Sequence, residues 1–435
     1  MCRRPKPASR RVSTRHAGVR APHYNRFMNS FLSRRRLLAG LAPLAFAQEP
    51  HRDYDESKVR TYTLPDPLRF ENGRKVRNRR DWGRRRTELL RLFEENVYGK
   101  SPGAMTDVSI GAPKVDIDAL GGKAVRKMIT IRFRETRTLD LLIYLPKKRP
   151  APLFVGVNFR GNHTVTNDAD IPITSKWVYN NRPASRGMQA SQWPVEQIID
   201  GGFGLATFHA GDISPDFNEG FQQGIEPLFY RPGQTRRDAD EWGALGAWAW
   251  GLSRAMDYFE IDPDINPHRV AVMGHSRMGK TALWAGARDT RFAMVVSNCS
   301  GAGGATIARR RFGESAKDLW THFPWWFCEN YAKFSDNEDA LPVDQHELLA
   351  LAAPRPLYVG VAQEDLGSDP RGQLLSAVAA SPVYRLLGTD GLAATEMPEL
   401  NRPVTSRIGF HIRPGKHDIT PYDWEQYLAF ARKYI

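Results

Sequence analysis

One stretch constrains this chain more than any other: Arg269-Val270-Ala271-Val272-Met273-Gly274-His275-Ser276-Arg277-Met278-Gly279-Lys280, followed by Thr281-Ala282-Leu283-Trp284-Ala285-Gly286-Ala287. Its Val-rich run reads as a short buried strand ending at Gly274, and the small-residue run after Ser276 reads as a helix. A strand, a sharp turn with a serine at its tip, and then a helix is the geometry of a nucleophile elbow. The turn strains the serine backbone and lifts its Oγ clear of the sheet. Free N–H groups at the helix start then point at any oxygen beside that Oγ, which suits attack on an ester carbonyl. The usual G-x-S-x-G spacing is not met, because Met278 stands two residues after the serine and Gly279 one later.

The rest of the chain fits around such a turn. Residues 125–133 and 139–145 read as an antiparallel pair, and 152–159 as a buried strand. Arg160-Gly161-Asn162-His163 follows, where a hydrolase of this type places a loop bordering its oxyanion hole. Further strands are expected at 203–208, 293–297, 356–362 and 408–412. A Trp- and Ala-rich helix is expected at 242–259, and an amphipathic one at 79–98. Strands alternating with helices through the second half imply a mostly parallel sheet covered on both faces. The expected fold is therefore an α/β-hydrolase fold, a three-layer α/β/α sandwich. Three segments are expected: a leader at 1–47, a wrapping segment with its helix at 48–98, and a catalytic unit at 99–435.

A serine hydroxyl needs a base to take its proton. In this fold class the order along the chain is Ser, acid, His. His417 follows the last strand behind a Pro-Gly turn and is the candidate base. His411 lies within that strand and His346 beside a helix, so both read as structural. For the acid, the strand ending at Cys299 offers no carboxylate, whereas the next ends at Glu364-Asp365, with Asp369 close behind. Asp365 is favoured, with Glu364 and Asp369 as alternatives. Arg277 supplies a backbone N–H and a guanidinium to the forming oxyanion. Lys280, one turn on, points to the same mouth. Two cations held against the positive end of a helix dipole suggest an anionic or heavily hydroxylated ligand.

The net charge of +14 resembles a polyanion binder's, but eleven Arg and Lys fall in residues 1–47, which hold no Asp or Glu. The remainder carries only +3, so no nucleic-acid face is required. That leader places Arg34-Arg35-Arg36 before a short apolar run ending in Ala45-Phe46-Ala47, the pattern of a twin-arginine export signal, with Met28 as an alternative start. The run is too short to span a membrane permanently. A periplasmic or secreted enzyme is expected, and a monomer. Cys299 and Cys328, the cysteines left after cleavage, are too few for a disulfide scaffold.

At this point the chain resembles the glucuronoyl esterases, carbohydrate esterase family 15. Gly274-His275-Ser276-Arg277-Met278-Gly279-Lys280 is similar to their G-C-S-R-x-G-K signature, and Ser300-Gly301-Ala302-Gly303-Gly304 to their S-G-A-G-G segment. Asp344-Gln345-His346-Glu347-Leu348-Leu349-Ala350-Leu351, Pro354-Arg355-Pro356 and Pro414-Gly415-Lys416-His417-Asp418 also match. The resemblance is strongest to bacterial members. It implies hydrolysis of the ester between 4-O-methyl-glucuronic acid side chains of xylan and lignin alcohols, without metal or cofactor. It carries over Ser276 as nucleophile, His417 as base and Arg277 as oxyanion stabiliser. Lys280 and Glu314 carry over as ligands for sugar hydroxyls, and Trp326 as an aromatic near the sugar. The chain departs from the pattern in three places. His275 replaces the Cys of many fungal members. Cys299 stands where the fungal catalytic Glu precedes S-G-A-G-G, which strengthens Asp365. Gly367 stands where bacterial relatives often carry Trp, which points to an altered substrate contact. An acetyl xylan or other carbohydrate esterase, and a non-catalytic carbohydrate binder, are the alternative functions.

Overall fold

Val270 and Val272 point to one side of their strand and Ala271 and Met273 to the other, and each pair is buried in a different core. A strand buried on both faces needs a cover on each side, and that sets the architecture. The computed structural model describes residues 52–179 and 182–435. The expected leader and its twin-arginine motif lie outside the described residues.

The strands are β1 (Val108–Ile110), β2 (Lys114–Ala119), β3 (Ala124–Phe133), β4 (Arg137–Pro146), β5 (Ala151–Asn158), β6 (Gly204–His209), β7 (Ile265–His275), β8 (Met294–Asn298), β9 (Leu357–Ala362), β10 (Val404–Thr405) and β11 (Ile408–Arg413). They form one sheet in the order β1-β3-β4-β6-β5-β7-β8-β9-β11-β10, with β2 also on β3. From β6 to β11 all neighbours are parallel. The β1–β4 end and β10 are antiparallel.

The helices are α1 (Arg79–Phe93), α2 (Val195–Asp200), α3 (Ala210–Ile213), α4 (Ala244–Phe259), α5 (Arg277–Arg288), α6 (Ala316–His322), α7 (Gln345–Ala350), α8 (Pro370–Leu386) and α9 (Pro421–Tyr434). Side chains of α1, α4, α5, α7 and α8 share the core with Val270, Val272 and Val359. Those of α2 and α9 cover the opposite face with Met273, Val296 and Tyr358. Three layers result, as the sequence implies. The amphipathic segment ends in a π-helical turn, Glu94–Tyr98, and its Phe93 and Tyr98 pack against Trp284 of α5. This helix is therefore built into the same core as the elbow helix.

Several matched motifs hold the scaffold. Asp344 caps α7 with Glu347 and pairs with Arg309 at 3.0 Å, while buried Glu347 meets Arg85 at 2.9 Å. His346 Nε2 lies 2.8 Å from the Pro65 carbonyl, and His411 bridges Tyr358 and Asp423. Both histidines are buried within regular elements, away from solvent.

Candidate active site

Ser276 sits between β7 and α5 at φ 58°, ψ −128°, a conformation that L-residues avoid. The irregular glycine spacing now has a physical explanation. A Cβ on Gly274 would lie 1.9 Å from the Met278 carbonyl oxygen, and one on Gly279 would lie 2.8 Å from Ser300 Cβ. The close approaches thus fall two before and three after the serine, while the Met278 side chain is buried in the core. The Ser276 N–H donates to the Asn298 carbonyl at 2.9 Å, tying the turn to the end of β8.

His417 follows β11 in a loop turned by Gly415 at φ 94°. Its Nδ1 is 2.7 Å from Asp365 Oδ2, at the end of β9. Asp365 is 8% exposed at its side chain and His417 42%. The Ser368 hydroxyl also donates to Asp365, at 2.5 Å. Burial works to raise the Asp365 carboxyl, but the His417 hydrogen bond and charge outweigh it and hold it below its ordinary range. The two other carboxylates are placed elsewhere. Glu364 is exposed, and Asp369 caps α8 and meets Arg310 at 2.8 Å. The imidazole of His417 lies 4.6 Å, centroid to centroid, from that of His275, the residue directly before Ser276. The Ser276 hydroxyl itself makes no hydrogen bond among the described residues; catalytic bonds of this kind often tighten only around substrate.

Cys299, Asp365 and His417 each offer a potential metal-ligand atom within 4.8 Å of the others. Burial and the Asp365 charge push the Cys299 thiol well above its usual value, so it stays protonated and is a poor ligand in that form. Cys299 and Cys328 are both free and buried.

Arg277 is enclosed. Its guanidinium pairs with Asp216 and lies 4.5–5.4 Å from the ring centroids of Phe159, Tyr179, Phe323 and Trp326. Asp216 Oδ1 also accepts from the indole N–H groups of Trp325 at 2.8 Å and Trp326 at 2.6 Å. Lys280 is buried, donates to the Ser300 carbonyl at 2.7 Å and faces Glu314 at 3.5 Å. Burial lowers its pKa, opposed by Glu314. Glu314 in turn faces Arg52 at 3.7 Å. A Cβ on Gly367 would lie 3.7 Å from the same guanidinium, so Arg52 stands beside the glycine at which the sequence departs from the expected pattern.

Two features bear on the expectations for this pocket. The pair of cations at the start of α5 does not by itself require an anionic ligand, because Asp216 and Glu314 already supply internal anions. Trp326, expected near a sugar, is 3% exposed; Phe323 stacks on it at 3.9 Å and 5°, and the Arg277 guanidinium lies over its ring. Its ring is thus contacted by Phe323 and by the Arg277 guanidinium. Asp216, Tyr179, Phe159, Phe323 and Arg52 were not singled out by sequence. Asp216 carries one signal, a carboxylate soon after the end of β6, at the C-terminal edge of the parallel strands where ligands bind in such folds.

The family described as glucuronyl esterase, fungi, matches residues 158–388. A carbohydrate esterase of an unknown prokaryotic organism is 48% identical over 405 residues, covering 89% of this chain and 93% of its own length. The 4-O-methyl-glucuronoyl methylesterase 1 of Wolfiporia cocos is 28% identical over 347 residues, covering 75% of this chain and 72% of its own. The solved glucuronoyl esterase from Solibacter usitatus superposes with a TM-score of 0.83 at 48% identity, covering 86% of this chain and 99% of that one. Among the described residues no helix is long and apolar enough to cross a membrane. With its elbow, its His–Asp pair and these relatives, the chain belongs to the glucuronoyl esterases, carbohydrate esterase family 15, a family of carboxylic ester hydrolases.

Proposed function

We propose that this enzyme hydrolyses the ester between 4-O-methyl-D-glucuronoyl side chains of glucuronoxylan and lignin alcohols through a Ser276–His417–Asp365 triad. The observation that carries the reading is the His417 imidazole. It is tied to Asp365 at 2.7 Å through Nδ1 and packs 4.6 Å from the residue preceding the strained serine. With Nδ1 donating to Asp365, Nε2 is left as the acceptor for the Ser276 proton.

Ser276 Oγ attacks the uronoyl carbonyl carbon as its proton passes to His417 Nε2. The tetrahedral oxyanion rests on N–H groups at the start of α5 and on the Arg277 guanidinium. His417 returns the proton to the leaving alcohol, and an acyl-enzyme remains. Water, deprotonated by His417, then releases the uronic acid and restores Ser276. Lys280 and Glu314 hold sugar hydroxyls, with Trp326 and Asp216 keeping Arg277 in place. The residue at 367 argues for a second reading within the same chemistry: with Gly there and Arg52 beside it, a wider range of carbohydrate esters is admitted.

Benzyl glucuronate hydrolysis, compared with hydrolysis of acetylated xylose, tests both readings. Turnover of benzyl glucuronate by the wild type and none by Ser276→Ala is expected. Full activity in Ser276→Ala overturns the mechanism, and a preference for the acetyl ester favours the second reading. Failure of a serine-directed phosphonate to label the wild type would mark a non-catalytic binder. We further propose that residues 1–47 act as a twin-arginine export signal ahead of the wrapping segment 48–98 and catalytic unit 99–435; the N-terminus of the exported protein, read by mass spectrometry, checks this.

A further inference from the structure

Contacts at one nitrogen, from His417 Nδ1 to Asp365 Oδ2 at 2.7 Å and to Ser368 Oγ at 3.4 Å, do not fix an imidazole. They leave the ring free to turn about that nitrogen, which sweeps Nε2 away from the serine. His417 is especially open to this, because its side chain is 42% exposed and its loop is turned by a glycine. Two rings meet at this point in the fold: His275, immediately before the nucleophile, lies 4.6 Å from His417 with an interplanar angle of 45°.

His275 is itself firmly held. Its Nδ1 is 2.7 Å from Asn298 Oδ1. The amide nitrogen of Asn298 donates to Asp423 Oδ1 at 2.9 Å and to the Tyr427 hydroxyl at 2.6 Å, so the amide oxygen is the acceptor toward His275 and Nδ1 carries the proton. Asp423 is anchored in turn by Arg413 at 2.7 Å, His411 at 2.9 Å and the Thr420 hydroxyl at 2.7 Å. Asn298, Asp423, Tyr427, Arg413 and His411 are all buried. The Asn298 carbonyl meanwhile holds the Ser276 N–H. One residue thus fixes the backbone of the nucleophile through its main chain and the ring of His275 through its side chain. A residue that only filled space could be apolar and would need no such chain of buried polar groups, each of which costs free energy unless satisfied.

We propose that His275 is a positioning residue for His417, a neutral imidazole locked by Asn298 that keeps the base from swinging off Ser276. Burial, reinforced by the His417 charge, pushes the His275 ring down to about 4, so it is uncharged at neutral pH and does not repel the imidazolium formed during turnover. The inference rests on His417 being the base.

The test uses the full chain with His275→Ala and His275→Phe, the second restoring ring bulk against His417. Benzyl glucuronate kinetics are referred to sites titrated with a serine-directed phosphonate, so misfolded protein does not count. His275→Ala is expected to lose about ten- to a hundredfold in kcat per titrated site, the scale of an ångström's misplacement, with KM within about twofold. His275→Phe should recover at least about fivefold of that. Wild-type kcat per site in His275→Ala, a loss confined to KM, or no recovery in His275→Phe would each overturn the proposal. His417→Ala separates this from failure of the underlying reading: if it keeps full activity, the mechanism itself is wrong, whereas an inactive His417→Ala beside an intact His275→Ala removes only the positioning role.

Discussion

Asp216 should matter almost as much as the serine, although no motif marks it. Its buried carboxylate is the anion paired with Arg277, which is 15% exposed at its side chain, and it accepts both indole N–H groups of Trp325 and Trp326. Asp216→Ala therefore strands one largely enclosed cation and two indole donors. Breaking a buried pair costs about 3–5 kcal/mol, and each orphaned donor about 1–3 kcal/mol where water cannot reach it. Partial hydration of the emptied space offsets some of this, and we expect a net loss of about 4 kcal/mol. For a chain of this size that is a fall in Tm of about 4–5 °C. In the proposed mechanism the catalytic effect follows from Arg277, whose donors must already point at the oxyanion before it forms. Losing one preorganised donor costs about 10²–10³ in kcat. Urea unfolding and benzyl glucuronate kinetics on Asp216→Ala, Arg277→Met and the double variant check both parts. The double variant should be more stable than Asp216→Ala, because it removes the unpaired charge, and no slower than Arg277→Met, because both changes act through the same guanidinium. If Asp216→Ala keeps wild-type Tm and kcat within about threefold, the aromatic walls alone hold Arg277 and the reasoning is wrong.

Other consequences can be checked with the same assays. Ser276→Ala should lower turnover by about 10⁴-fold or more, and Asp365→Asn by about 10²–10⁴-fold through loss of the tautomer lock, both read as kcat per folded enzyme. Gly274→Ala should give no soluble folded protein, since its Cβ would meet the Met278 carbonyl at 1.9 Å; Gly279→Ala, with a gap of 2.8 Å to Ser300, should lower stability by about 1–3 kcal/mol in urea titration. Stability should also fall in mild acid. Burial pushes the His209 ring down to about 4 from 6.5, so the unfolded chain binds the proton first as pH drops. The contribution is intact above pH about 6.5 and is lost as pH falls toward 4, worth about 3 kcal/mol. Unfolding free energies that do not change between pH 7 and 4.5, or that change equally in His209→Gln, would contradict this.

What could be read from the sequence divides along physical lines. The elbow was legible because strand, turn and helix are local, and the parallel sheet because its strands are nearly continuous apolar runs. His417 was legible from its place after the last strand. For the acid the sequence favoured Asp365 but left Glu364 and Asp369 open, since the choice depends on side-chain direction. Glu364 turns to solvent, Asp365 turns inward, and Asp369 is occupied by Arg310 and the start of α8. Asp216 was illegible because its partners lie 61, 109 and 110 residues away. The same distance in sequence hid the partners of the two cations and of Trp326. Cations at a helix start look uncompensated until the fold brings Asp216 and Glu314 to them, and a tryptophan looks available until a ring and a guanidinium cover it.

The two halves of the site differ in hydration, and the proposed chemistry gives a reason. Asp216 and Lys280 are buried and the Arg277 side chain is 15% exposed, whereas His417 is the most exposed member of the proposed triad. Oxyanion donors gain from a dry setting, where they need no reorientation and are poorly screened. The base cannot be sealed in the same way, because the acyl-enzyme is resolved only when a water molecule reaches the imidazole that has just given its proton to the alcohol. An exposed base, however, is a loosely held one unless something other than burial restrains it. A second ring on its inner face, tied back into the sheet through Asn298, restrains it without closing the outer face to water. A bulky apolar residue introduced on the solvent side of His417 should therefore slow deacylation more than acylation. Its signature is a larger pre-steady-state burst of alcohol from benzyl glucuronate with a lower steady rate, and equal slowing of both phases would refute the division of labour.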